Sequence, residues 1–327
     1  MQRLATVLTI GLLLAACGVD SDSKNGSNSS ETESTTSTVP ATTEVVDTTA
    51  VATTSVESTV PAPTTTPQSF VDRPLNVIVP DTYDAATAAP LVILLHGYGA
   101  VGSLQEIYFN LRSQAEERGF LYVYPDATPN RLGINGWNAT DACCNDSDVD
   151  DSAYITHIID EVSATYNVDP KRVYLVGHSN GGFMSYRMAC DRADRIAAIV
   201  SLAGATYLDA AKCAPSEPVS VLQIHGTDDG TIDYEGGTTP LSSYPAAETT
   251  VATWSSYNGC ASATESLGAI DLNMALAGYE TTIQAFTDCP VDGAVELWTM
   301  VDGAHIPSLT SNFAADIIDW LFAHPNT

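Results

Sequence analysis

The pentapeptide Gly177-His178-Ser179-Asn180-Gly181 follows the apolar, β-branched run 172–176 and leads into 182–190, a stretch rich in helix-forming side chains. A strand, a sharp turn and a helix are therefore predicted, with a serine at the apex. Glycine on both sides of the serine suits a turn so tight that neighbouring side chains would collide, and such a turn lifts the hydroxyl above the end of the sheet. Ser179 is the candidate nucleophile.

A serine hydroxyl is a poor nucleophile at its own pKa, so a histidine base and an orienting carboxylate must lie elsewhere in the chain. In the α/β-hydrolase arrangement the order is serine, acid, histidine, each on a loop after a strand. Two loops fit that order. The apolar run 219–224 ends in His225-Gly226-Thr227-Asp228-Asp229-Gly230, and 295–301 ends in Asp302-Gly303-Ala304-His305.

Of the six histidines, His157 falls in a helical pattern, His324 is near the C-terminus, and His96 and His225 close strands as turn-forming His-Gly pairs. His178 lies inside the serine turn. His305 alone follows the last predicted strand and is the expected base. Asp228 and Asp229 both suit the carboxylate role, with Asp233 a third candidate. The oxyanion of acyl transfer needs backbone donors; the amide after the nucleophile, Asn180, and the Tyr98 amide in His96-Gly97-Tyr98-Gly99 are the expected pair.

Gly136-Trp137-Asn138, Cys143-Cys144, Asp150-Asp151, the stretch 166–174, Ser179-Asn180-Gly181-Gly182 and Ile224-His225-Gly226-Thr227 resemble the secreted polyhydroxybutyrate depolymerase and feruloyl esterase group. The resemblance covers most of the chain from residue 75 onward. It implies an α/β-hydrolase fold and a triad of Ser179, Asp229 and His305. Two departures bear on substrate preference. Thr231-Ile232-Asp233-Tyr234 stands where the group has an apolar pair and a proline before the tyrosine, and Ile306-Pro307 where it commonly has Trp-Pro.

The expected reaction is hydrolysis of feruloyl or related carbohydrate esters without a cofactor or metal. The alternative is depolymerisation of polyhydroxyalkanoates or other polyesters. A serine peptidase and a non-catalytic surface-binding lipoprotein are minor alternatives. Trp137, Asn138 and Tyr234 are candidate substrate-binding residues.

The chain begins with Met1-Gln2-Arg3 and an apolar segment too short to span a membrane stably, ending in Leu14-Ala15-Ala16-Cys17. Residues 1–17 are read as a lipoprotein signal peptide, with Cys17 the lipid-bearing membrane anchor of an exported or cell-surface protein. Residues 18–69, dominated by serine and threonine, have too few apolar side chains to form a core and are read as a disordered linker. Residues 70–327 form the catalytic domain.

Of seven cysteines, six remain after Cys17. Cys260 with Cys289 and Cys190 with Cys213 are the expected disulfides, while Cys143 and Cys144 either bridge each other or pair elsewhere. A net charge of -28 with only 12 lysines and arginines disfavours nucleic-acid binding, which needs cationic side chains to displace counterions.

Strands are expected at 91–95, 121–124, 173–176, 197–202, 219–224 and 295–301, and helices at 104–118, 153–166, 181–190, 246–257 and 312–322. This alternation predicts an α/β fold: a mostly parallel sheet with helices on both faces. Only residues 205–218 separate two of the core strands where a cap domain could be inserted, so little or no cap is expected.

Overall fold

The computed structural model describes residue 73 and residues 75–144 and 149–327. The expected signal peptide 1–17 with Cys17, and the linker 18–69, lie outside the described residues. Along the chain run β1 (Val77–Ile78), β2 (Ala89–Leu95), α1 (Gly102–Phe109), α2 (Leu111–Arg118), β3 (Leu121–Val123), α3 (Asp151–Thr165), β4 (Val168–His178), α4 (Asn180–Asp191) and β5 (Ala198–Leu202). There follow β6 (Ser220–Gly226), a small hairpin β7 (Gly237–Thr238) and β8 (Ser243–Tyr244), α5 (Ala247–Asn258), β9 (Thr264–Ile270), β10 (Thr281–Phe286), β11 (Val295–Met300) and α6 (Phe313–Ala323).

The main sheet has the order β1-β3-β2-β4-β5-β6-β11-β10-β9. The strands from β3 through β11 in that order are parallel, and β1, β10 and β9 are antiparallel additions. This is the α/β-hydrolase architecture, and every strand expected from the sequence is present.

Parallel strands covered on both faces lose the usual apolar–polar alternation. In β2 every residue is buried, yet the twofold period still divides them. Leu91, Ile93 and Leu95 join the core with α3, α4 and α5, whereas Val92 and Leu94 join the one with α1, α2 and α6. Helices on both faces thus leave only the strand ends free, and the Ser179 turn sits at the carboxyl end of β4.

The single helix expected at 104–118 is two. Asn110 adopts φ 55°, closing α1 with its amide on the Glu106 carbonyl and restarting the chain as α2. Asparagine tolerates this left-handed geometry better than most residues, so no glycine or proline marked the break. The antiparallel β9 and β10 were also not expected. β9 is exposed along almost its whole length and carries no apolar pattern to reveal it.

Between β5 and β6 the chain forms only a short 3-10 turn at Ala210–Lys212, too little for a cap. Disulfides join Cys190 to Cys213, Cys260 to Cys289 and Cys143 to Cys144. Among the described residues no helix is long and apolar enough to cross a membrane.

The Cys260–Cys289 bridge ties the end of α5 to the β10–β11 connection. Replacing both cysteines with serine is expected to lower stability by roughly 2–4 kcal/mol, because the unfolded chain regains the freedom of the closed loop. Urea denaturation of the oxidised proteins checks this.

Candidate active site

β4 runs directly into α4 through Ser179, whose φ of 54° and ψ of -120° place it in a conformation rarely adopted by residues with side chains. The turn closes because its flanking residues have no side chain. A Cβ on Gly177 would lie 2.1 Å from the Gly181 carbonyl oxygen, and one on Gly181 would lie 2.0 Å from the Leu95 carbonyl oxygen. The Ser179 amide donates to the Leu202 carbonyl, which fixes the turn to the neighbouring strand.

The loops after β6 and β11 bring the other groups to the serine. These strands are parallel neighbours, with Thr299 opposite His225 and Met300 opposite Gly226. Their extensions stay cross-linked: Thr227 donates to the Met300 carbonyl, Asp228 to the Gly303 carbonyl, and Asp302 to the Thr227 hydroxyl.

His305 Nδ1 lies 2.8 Å from Asp229 Oδ2, and its Nε2 lies 3.0 Å from Ser179 Oγ. An ionised carboxylate only accepts, so Nδ1 carries the proton and Nε2 is left to accept from the serine hydroxyl. Asp229 is buried, whereas Asp228 is exposed with its amide committed to Gly303, and Asp233 is exposed and accepts from the Glu235 amide. Of the three carboxylates, Asp229 is the one in contact with His305.

Burial alone would raise the Asp229 pKa. Hydrogen bonds from His225, His305 and the Ile232 amide outweigh it and hold the carboxyl far below the usual carboxylate range. Its other oxygen accepts from the Thr231 and Ile232 amides, both at 2.8 Å.

In the turn after β2, Gly97 donates to Gln105 Oε1 and Gly99 to the Asn135 carbonyl. The Tyr98 amide between them has no acceptor among the described residues. The Asn180 amide is at the N-terminus of α4, where helix geometry supplies no acceptor. The Asn180 side chain clamps the Trp137 backbone from both sides, accepting from its amide at 2.7 Å and donating to its carbonyl at 2.9 Å.

The expected substrate-binding residues fare differently. Trp137 is wholly buried and its indole donates to the His96 carbonyl, so it braces the Tyr98 turn from beneath. Tyr234 is buried against the His225 ring, with its hydroxyl bonded to Thr299 Oγ1. Both rings pack into the core cluster on the α4 side of the sheet. Asn138 is half-buried, with its side-chain amide donating to the Val149 carbonyl. Tyr98 and Ile306, 40% and 50% exposed, are apolar side chains at the surface of these loops. Among the described residues no cluster of three or more acidic, histidine or cysteine side chains could hold a metal ion.

Two further residues, His178 of the serine turn and Tyr108 of α1, hold the loop that carries His305. His178 Nε2 donates to the His305 carbonyl at 3.0 Å, and the Tyr108 hydroxyl donates to the Pro307 carbonyl at 2.8 Å. Together they secure the backbone on both sides of Ile306. No sequence pattern links α1 or the variable position of the elbow with a loop more than a hundred residues away.

A family model described as phospholipase/carboxylesterase matches residues 82–266. Feruloyl esterase B of Piromyces equi is 30% identical over 196 residues, covering 58% of this chain and 36% of that protein. Feruloyl esterase D of Neurospora crassa is 30% identical over 179 residues, covering 50% of this chain and 56% of that protein. The chain thus spans well under two thirds of the length of either relative. An acetyl xylan esterase from Aspergillus awamori shares the fold with a TM-score of 0.53 and 16% identity, over 76% of this chain and 93% of that one.

Burial, with the nearby His305 adding to it, lowers the His178 pKa from 6.5 to about 4. Above about pH 6.5 folded and unfolded chains both hold this ring neutral. Between 6.5 and about 4 only the unfolded chain takes up the proton, so stability falls by up to roughly 3 kcal/mol as pH is lowered through that window. Urea midpoints from pH 7 to 4 should show this decline in the native protein and a shallower one in His178→Gln, whose amide can still donate to the His305 carbonyl. Equal slopes would count against the assignment.

Proposed function

The chain belongs to the phospholipase/carboxylesterase family, and on that footing we propose that it is a serine esterase acting through an acyl-enzyme on feruloyl or related carbohydrate esters. The observation that carries this reading is the continuous path from Ser179 Oγ through His305 to Asp229, at 3.0 and 2.8 Å.

In the proposed reaction Ser179 Oγ attacks the ester carbonyl carbon as its proton passes to His305 Nε2. Asp229 stabilises the imidazolium that results. The oxyanion accepts from the Tyr98 and Asn180 amides, which are in place before charge develops. As the carbon–oxygen bond of the ester breaks, His305 returns the proton to the departing alcohol. Water then attacks the acyl-enzyme by the same path, and the acid leaves with Ser179 restored. Asn138 remains a candidate for the rim of the acyl site. The feruloyl preference draws on the relatives' activities and applies to this chain as part of the proposal.

A polyester substrate is the second reading. It is favoured by Ile306, half-exposed directly after His305, where the resembling group commonly carries tryptophan. An aliphatic side chain offers no flat partner for an aromatic acyl ring. Three disulfides favour an oxidising compartment and hence export. Cys17 is the proposed site of lipid attachment, and fatty-acid labelling of the full chain should be abolished by Cys17→Ser.

Hydrolysis of methyl ferulate, p-nitrophenyl acetate and a hydroxybutyrate oligomer by the purified protein tests the function. Ser179→Ala is expected to lose at least about a thousandfold in kcat on every ester turned over. Preference for the oligomer over ferulate would replace the first reading with the second, and near-native turnover by Ser179→Ala would overturn both.

A further inference from the structure

The twofold period of β6 places Val221, Gln223 and His225 on one face of the sheet, toward α4 and α5. Two polar side chains therefore enter an otherwise apolar layer, and both are buried: Gln223 is 0% and His225 1% exposed. Buried polar groups are costly unless bonded. These two form a chain that ends at the proposed triad.

The chain has a definite polarity. Gln223 Nε2 lies 2.8 Å from the Gly204 carbonyl, which can only accept, so the amide orientation is set. Its oxygen is then the atom that accepts from the Tyr186 hydroxyl at 2.8 Å. The second amide hydrogen faces His225 Nδ1 at 3.1 Å, so Nδ1 accepts and the proton of this neutral ring resides on Nε2. That Nε2–H is 2.8 Å from the Ile232 carbonyl and 3.3 Å from Asp229 Oδ2, the oxygen that also receives His305 Nδ1–H. The Ile232 amide meanwhile donates to Asp229 Oδ1. His225 thus closes the turn 229–232 through the Ile232 carbonyl and sets the same N–H against the carboxylate at 3.3 Å.

We infer that His225, locked by Gln223 as the Nε2–H tautomer, is a positioning residue that holds Asp229 charged and aimed at His305. Its ring does not touch substrate. It acts by denying the carboxylate any other orientation, since rotation of Asp229 away from His305 would break the bonds that it shares with His225, Thr231 and Ile232. This role rests on the proposed triad and deepens it. Glutamine at 225 is the informative replacement, because its amide nitrogen occupies nearly the position of the histidine Nε2, whereas leucine offers no donor.

The test uses the full chain and p-nitrophenyl acetate, with folding checked by near-ultraviolet circular dichroism and active protein counted by fluorophosphonate titration. His225→Leu should lower kcat roughly 10- to 100-fold, the factor attached to one lost hydrogen bond to a charged group, with KM changed less than about twofold. His225→Gln should recover most of that loss. Should His225→Leu not fold, Gln223→Met keeps the question open to test: in 15N-histidine-labelled protein it should move the His225 ring nitrogens away from the Nε2–H pattern and lower kcat by a smaller factor.

Native kcat per active molecule in folded His225→Leu, or in Gln223→Met with an altered tautomer, would overturn the inference. An unaltered tautomer in Gln223→Met would overturn the lock. Ser179→Ala separates the two levels: if it stays active the triad itself is wrong, and if it is dead while the His225 and Gln223 variants are unimpaired, only the positioning role fails.

Discussion

Packing at this site is limited by backbone meeting backbone at the β4–α4 turn. The distances that a Cβ would violate at Gly177 and Gly181 are too short for any rearrangement of side chains to absorb, because the obstacles are carbonyl groups of α4 and β2. That approach brings α4 down onto the sheet, sets its first amides beside Ser179 and forces the serine into its unusual backbone conformation. The Trp137 loop follows from the same contact: the Asn180 side chain, fixed by the start of α4, grips that loop, and the loop in turn supports the Tyr98 turn. The placement of Ser179 and of the two amides proposed as oxyanion donors is a consequence of one steric arrangement.

Around Asp229 the controlling quantity is electrostatic. A carboxylate taken out of water is unfavourable unless several donors compensate, and here two imidazoles and two backbone amides converge on its two oxygens. The same donors that keep it ionised also immobilise it. Hydrogen bonds between the β6 and β11 loops then carry His305 to it, while His178 and Tyr108 secure the backbone that follows.

Much of this was legible in the chain. Apolar runs of four to seven residues revealed all the parallel core strands, because strands buried on both faces favour apolar side chains. That Ser179, Asp229 and His305 would come together was readable because their order and their position after strands follow from the sheet. What escaped had no local signature. The break at Asn110 uses a backbone conformation available to asparagine without advertising it, and β9 is solvated on both faces. Trp137 and Tyr234 could be placed near the site, but whether an aromatic ring faces the cleft or the core depends on loops folded from distant sequence. Gln223 and His225 did leave a trace, as polar residues at alternate positions in and directly after the apolar run 219–224; their meaning required knowing that α4 supplies Tyr186 to Gln223.

The layout of the sheet divides the site in two. Ser179 and the Tyr98 and Asn180 amides belong to β4 and β2, while Asp229 and His305 belong to β6 and β11, and β5 lies between the halves. Within each half, neighbouring strands or adjoining loops set the distances. Across the seam, Ser179 Oγ and His305 Nε2, 3.0 Å apart, are tied directly by the bond from His178 to the His305 carbonyl and indirectly by the β4–β5–β6 ladder with the Ser179–Leu202 and Ala203–Ile224 bonds that extend it. β5, which supplies none of the candidate site residues, is thus the spacer between the two halves, and its buried side chains bear on a distance to which they contribute no atom.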